Sequence, residues 1–199
     1  MVSDHGKDPH KDPGNGPGMT LGTDRDEPAG TRPRVVLIGP PGSGKTTVGH
    51  VLATLLGVQL RDTDRAIEVQ EGRSVSDIFV QEGEARFREL ERAEVGSSLA
   101  SHSGVLSLGG GAVMDPANAA ALEGHTVVFL DVGIADAAAR VGFNQSRPLL
   151  MVNPRAQWTR MMDLRRPTYE RLASLTVLTT GRSPQDIAAE IAQRLEHTT

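Results

Sequence analysis

Short apolar runs alternate along the chain with longer stretches in which apolar residues recur every three or four positions. The runs Val35–Gly39, Val58–Asp62, Gly104–Leu108, Thr126–Asp131 and Leu175–Thr179 are candidate strands. Val-Val-Leu-Ile (35–38) and Thr-Val-Val-Phe-Leu (126–130) lack the in–out alternation of a half-solvated sheet. They predict strands buried on both faces, as in a parallel sheet. Between the runs, the spacing predicts helices over 45–56, 64–71, 76–102, 116–123, 133–142 and 155–172. Ser183-Pro184, an N-cap followed by Pro at the first helical position, announces a last helix over 184–196. Strands alternating with helices imply an α/β layer fold with right-handed crossovers. The segment 142–154 breaks the rhythm with Gly, Asn, Ser and two Pro, and reads as a mobile loop.

Composition changes this picture only at the N-terminus. Residues 1–32 hold six Gly and four Pro with almost no large apolar side chain. Such a segment cannot bury enough surface to offset its chain entropy, so it is expected to be a disordered tail on a single domain spanning 33–199. A partner tether, a solvated extension and a start codon assigned too early, with Met19 as another candidate, are all open readings of it. Twenty-one Lys and Arg face 25 Asp and Glu, a net charge of −4. That balance leaves no basic field for gripping nucleic acid or an anionic membrane. No cysteine is present, which excludes disulfides, thiolate metal sites and thiol nucleophiles together. Apolar runs stop far short of a bilayer span, and no charged-then-apolar leader opens the chain. The expectation is a soluble, cytoplasmic protein.

The strongest chemical signal follows the first strand. Gly39-Pro-Pro-Gly-Ser-Gly-Lys45-Thr46 is a G-x-x-x-x-G-K-[ST] phosphate loop between a predicted strand and a predicted helix. Its glycines let backbone N–H groups converge on a phosphate, and the helix dipole points the same way. Lys45 can reach the β and γ oxygens of a nucleoside triphosphate, and the Thr46 hydroxyl can hold Mg²⁺. From residue 33 onward there are 16 Arg and one Lys, and that Lys is Lys45. A chain that otherwise uses Arg keeps a slim point charge here. With three lysines in all there is no place for a guanine-reading Asn-Lys-x-Asp signature. The third strand ends Leu-Ser-Leu-Gly-Gly-Gly, without the paired acids of a motor ATPase.

A small-molecule kinase also needs an acceptor site. The second predicted strand ends in Asp62-Thr63-Asp64, and ligands of open α/β sheets gather at the carboxyl ends of strands. Asp62 is positioned to help the Mg²⁺ shell, and Asp64 to bind a polyol and ease removal of its hydroxyl proton. The plainer reading of Asp64 is an N-cap for a helix starting at Arg65. Arg88 and Glu91 are i, i+3, so Glu91 can hold the guanidinium for bidentate use, or the two form an ordinary surface pair. Gly109-Gly110-Gly111 leaves no side chain between a ligand and the backbone amides, or is a flexible turn. Residues 140–171 carry seven Arg against Asp163 and Glu170, a local +5 suited to a lid closing on phosphates.

In this order and spacing the pieces resemble the shikimate kinase family over residues 34–196. The matching motifs are Gly-Ser-Gly-Lys-Thr (42–46), Asp-Thr-Asp (62–64), Phe-Arg-x-x-Glu (87–91) and Leu-Gly-Gly-Gly (108–111). Arg-Pro-Leu-Leu (147–150) and Arg-x-Pro-x-Tyr (165–169) complete the set. The resemblance implies a three-layer P-loop kinase fold with a five-stranded parallel sheet in the order 2-3-1-4-5 and a mobile lid near 142–154. It implies transfer of the ATP γ-phosphate to the 3-hydroxyl of shikimate, within aromatic amino-acid biosynthesis, by a monomer. Gly42, Ser43, Gly44, Lys45, Thr46 and Thr47 would bind ATP, Arg140 and Arg182 would flank the adenine, and Arg147 would be the lid arginine on the phosphates. Asp64 would bind the reacting hydroxyls as base, and Thr46 with Asp62 would serve Mg²⁺. Arg88, Gly110 and Arg165 would hold the shikimate, the two arginines on its carboxylate. Gly109, Gly111 and Glu91 would belong to the same site, walled by Phe79 and Phe87.

Several residues depart from the family pattern. Gly39-Pro-Pro replaces the commoner Gly-Leu-Pro, and Thr46 stands where Ser is frequent. Phe143 and Met151-Val152-Asn153 are larger or less polar than expected of the lid, and the tail has no counterpart. Two alternatives stand beside this reading. A gluconate or nucleotide kinase would also use an acid and arginines, and acceptor preference discriminates it. A non-catalytic nucleotide-binding switch would have no use for Asp64, Arg88 and Arg147.

Overall fold

The computed structural model describes residues 32–141 and 153–197. Five strands, β1 (Val35–Ile38), β2 (Leu60–Asp62), β3 (Val105–Ser107), β4 (Val127–Asp131) and β5 (Leu175–Leu178), form one sheet in the order β2-β3-β1-β4-β5. Every pairing is parallel. The helices are α1 (Lys45–Leu56), α2 (Thr63–Glu71), α3 (Val75–Ser101), α4 (Pro116–Ala121), α5 (Ile134–Val141), α6 (Pro154–Leu172) and α7 (Pro184–Glu196). A 3₁₀ turn over Ala112–Met114, not expected from the apolar pattern, follows the glycine run.

The central strand explains the layers. Val35 and Leu37 point to one face, against Val48 and Leu52 of α1 and Ile187 and Ile191 of α7. Val36 and Ile38 point to the other, against Val95 and Leu99 of α3 and Trp158, Met162 and Tyr169 of α6. All four β1 side chains are fully buried, which is why the run shows no alternation. The outermost strands are only partly covered, as Leu178 on β5 is exposed.

A third, smaller apolar cluster joins Ile67 of α2 to Ile78 and Phe87 of α3, with Phe79 and Leu90 partly buried around it. Here the helix expected over 76–102 is interrupted. Gly83 has φ 85° and ψ 171°, a backbone conformation that only glycine adopts freely, so α3 is two helical segments meeting at one residue. The periodicity hides this break because Ile78 and Phe87, on either side of it, face the same cluster.

The start of α2 also differs from expectation. Asp62, not Asp64, is the N-cap; its carboxylate accepts from the Asp64 and Arg65 N–H groups. The helix therefore begins at Thr63, and the capping alternative for Asp64 falls. The segment expected to form the lid lies, apart from Asn153 and Pro154, outside the described residues, as does all of the expected tail but Arg32.

Gly104 sets the spacing of β2 and β3 where they enter the sheet. A Cβ there would press into the Gln59 carbonyl oxygen, which accepts the Val105 N–H at 2.9 Å. Gly104→Ala is expected to destabilise the protein by about 1–3 kcal/mol, the usual cost of overpacking against something that cannot move. Urea unfolding measures it, and an unchanged midpoint would mean that the strand entry yields freely.

Candidate active site

The carboxyl end of the sheet gathers the chemistry. Gly42 (φ 83°) and Gly44 (φ 90°) bend the β1–α1 loop through left-handed geometry. First-turn N–H groups of α2, α3, α4, α6 and α7 are met by side chains of Asp62, Ser74, Asp115, Asn153 and Ser183. Gly44 offers α1 no such side-chain cap. That leaves the positive end of α1 open to an outside anion. Lys45 folds over the loop, its Nζ donating to the carbonyls of Gly39 at 2.9 Å and Pro40 at 3.2 Å. Burial lowers its pKa to about 8, although Asp64 and Asp62 pull it upward. The Ser43 hydroxyl is buried without a hydrogen-bond partner beside the loop.

Asp62 joins three elements. Besides capping α2, it accepts from Thr46 Oγ1 of α1 at 2.8 Å and from Ser107 Oγ of β3 at 3.0 Å. Asp62 and Ser107 are register partners on adjacent strands. The acid missing from the end of β3 is thus supplied by its neighbour β2. Thr46 and Asp62 present hard oxygen donors side by side, a set that suits a hydrated Mg²⁺ beside phosphate.

Asp64 lies one step further out. Its Oδ1 is buried and has no hydrogen-bond partner. Burial first, then Asp62 and Glu91, push its pKa up to about 6, against a smaller downward pull from Lys45. A Cβ on Gly109 would stand 2.5 Å from that Oδ1 and 2.8 Å from Glu91 Oε1. On Gly111 it would stand 2.8 Å from Arg88 Nη1. Close approach, more than flexibility, accounts for these two glycines. Thr63 Oγ1, itself buried, holds the turn by accepting the Gly109 N–H at 3.0 Å.

Glu91 is 1% exposed and accepts from Arg88 Nη1 at 2.6 Å, so the two are no surface pair. Burial raises the Glu91 pKa, while Arg88 draws it back. The Arg88 guanidinium lies over the Phe87 ring, whose own partner Phe79 is 4.7 Å away between centroids. From α6, Arg165 Nη1 donates to the Gly110 carbonyl at 3.1 Å, and the Tyr169 hydroxyl donates to the same oxygen at 2.5 Å. Tyr169 stood within a recognised motif but had no role from the sequence. Trp158 had no sequence signal at all, and its indole N–H donates to the Pro41 carbonyl of the phosphate loop at 3.3 Å.

A separate cavity of about 270 Å³ opens behind the phosphate loop, lined by Ser43, Thr47, Arg140, Arg182 and Pro184 among others. Arg140 spans it, donating to the carbonyls of Gly42 at 3.2 Å and Thr179 at 2.9 Å. Arg182 is turned toward Glu190 at 2.6 Å. Arg147 lies outside the described residues.

A glycine loop at an uncapped helix N-terminus on one rim and a buried acid among arginines on the other are the arrangement of the P-loop small-molecule kinases. The shikimate kinase family model matches residues 41–196. Shikimate kinase of Salinispora arenicola is 56% identical over 163 residues, 82% of this chain and 98% of that protein. That of Thermobifida fusca is 53% identical over 165 residues, 83% of this chain and 96% of that protein. A solved shikimate kinase from Acinetobacter baumannii, in complex with shikimate, superposes with a TM-score of 0.78 at 34% identity, covering 85% of this chain and 96% of that one. The chain belongs to the shikimate kinase family.

The raised Asp64 pKa has a thermodynamic signature. The folded protein holds this proton to a higher pH than the unfolded chain does, so stability drawn from it is full at low pH and is lost as pH rises through about 6. Asp64→Asn, which cannot ionise, is expected to raise Tm relative to the parent at about pH 8 and not at about pH 4. Thermal melts at both values test it. An equal Tm difference at the two would show that Asp64 is solvated like any surface carboxylate.

Proposed function

We propose that this site transfers the γ-phosphate of ATP to the 3-hydroxyl of shikimate, giving shikimate 3-phosphate and ADP, with Asp64 as the group that receives or orients the hydroxyl proton. One observation carries the role of Asp64: an unpartnered buried carboxylate oxygen facing a glycine turn, beside the phosphate-loop lysine. At neutral pH a carboxyl titrating near 6 is mostly ionised and still basic enough to take a proton in transfer. The acceptor oxygen bonds to the γ-phosphorus, the bridge to the β-phosphate breaks, and the hydroxyl proton passes to Asp64 Oδ1. Lys45 exchanges its loop carbonyls for β and γ oxygens, and the α1 amides hold the β-phosphate. Thr46 and Asp62 would hold Mg²⁺, which would neutralise phosphate charge there.

Arg88, held by Glu91, and Arg165, held by Gly110, are assigned to the substrate carboxylate, and Phe79 and Phe87 to the wall behind it. Arg140, Arg182 and Thr47 are assigned to the nucleotide, and Arg147 to the transferred phosphate. Residues 33–199 are read as the catalytic domain, with 1–32 outside it. The family match beginning at 41 supports that division. Among the described residues no helix is long and apolar enough to cross a membrane. That is compatible with the cytoplasmic monomer we infer.

ADP release measured with shikimate, gluconate, nucleoside monophosphates and no acceptor tests the reaction; only shikimate should support turnover. In the same assay Asp64→Asn is expected to lower kcat by roughly 10²–10⁴-fold with the KM for ATP unmoved. Near-normal turnover at saturating shikimate would remove Asp64 from the chemistry.

A further inference from the structure

Arg88 has one side fixed and one side taken. Nη1 is fixed by Glu91, and the guanidinium lies between the Phe87 ring and Gly111. The remaining edge, Nε and Nη2, is the one from which an incoming carboxylate could accept two parallel hydrogen bonds. In this structure that edge is closed by Glu84, whose Oε1 alone accepts from Nε at 3.3 Å and Nη2 at 3.1 Å. Glu84 is 68% exposed, against 1% for Glu91, so the two acids hold the same arginine under very different conditions.

We propose that Glu84 is a specificity-determining stand-in for the substrate carboxylate: it occupies the open edge of Arg88 in the free enzyme and must be displaced when the acid substrate binds. The inference rests on the assignment of Arg88 to the substrate carboxylate. A single oxygen shared by two donors at 3.1 and 3.3 Å is a looser match than a carboxylate that gives each donor its own oxygen. A planar, two-oxygen acid therefore displaces Glu84 readily. An anion able to offer only one oxygen gains nothing over what it replaces. Glu84 is not needed to orient the guanidinium, which Glu91 and the Phe87 ring already hold. Its place is set by Gly83, whose positive φ starts the second segment of α3 at Glu84 and puts it one helical turn before Arg88. The competing explanation is that Glu84 merely favours a helix start electrostatically. That role would change stability and leave substrate affinity alone.

The test is Glu84→Gln in the full chain, which keeps size and removes charge at an exposed position. Competition for a partly occupied edge raises the apparent KM by the reciprocal of the unoccupied fraction. The KM for shikimate should therefore fall about two- to fivefold at low ionic strength, the range of an exposed ion pair, with kcat and the KM for ATP unmoved. A shikimate analogue with a hydroxymethyl group in place of the carboxylate should bind wild type and variant alike. An unchanged or raised KM for shikimate overturns the proposal, as does an equal gain for the analogue. Arg88→Lys, measured alongside, separates the failures. If it raises the KM for shikimate while Glu84→Gln does nothing, only the stand-in role falls. If neither variant moves the KM, the assignment of Arg88 falls and takes the proposal with it.

Discussion

The Asp62 carboxylate is the contact on which the catalytic edge depends. Four hydrogen bonds converge on it, from Thr46, Ser107 and the amides of Asp64 and Arg65. They tie the first helix, the third strand and the second helix to the end of the second strand. Each is of the charge-assisted kind, stronger than a neutral bond. The phosphate loop feeds α1, Asp64 lies in the first turn of α2, and the glycine turn follows β3. The relative position of the phosphate loop and the proposed acceptor acid is therefore fixed at one side chain, as in-line transfer, where alignment does most of the catalytic work, would require.

Around that point, among the described residues, Asp64 Oδ1 is the side-chain atom of a charged group that is buried without a partner, and Ser43 Oγ is the neutral one. Glu91 is buried but paired with Arg88, and Lys45 is buried but engaged with two carbonyls. Asp64 Oδ1 has neither compensation. A buried polar atom without a partner costs free energy, and folds keep such atoms where the missing partner is a ligand. The raised pKa of Asp64 and the lowered pKa of Lys45 are two consequences of one desolvated space.

Much of this was legible in the sequence, for identifiable reasons. Strands buried on both faces announce themselves by unbroken apolar runs, so β1 and β4 were read almost to the residue. The phosphate loop is local, and its spacing alone carries its geometry. What stayed hidden was non-local or degenerate. Asp62 and Asp64 are both acids near a helix start, and only the register of β2 against β3 shows that the first caps while the second stands free. The glycine break in α3 is masked by side chains on both sides serving one cluster. Trp158 and Tyr169 reach their carbonyls from a helix more than forty residues downstream of the glycine turn, a distance across which local pattern carries no information. Glu84 reads as one more acid in a charged helix until the edge of Arg88 that it covers is seen.

The scarcity of lysine gives the phosphate loop a chemical handle. Between residues 33 and 199 Lys45 is the sole side-chain amine, the others being Lys7 and Lys11. With its pKa brought down to about 8, a substantial share of it is uncharged in mildly alkaline solution, when ordinary lysines are almost wholly protonated. An acylating reagent that reaches residues 33–199 therefore meets one amine, the one proposed to hold the nucleotide. Covalent tagging at this atom is selective by composition, and a nucleotide bound as proposed would shield it by engaging the same nitrogen.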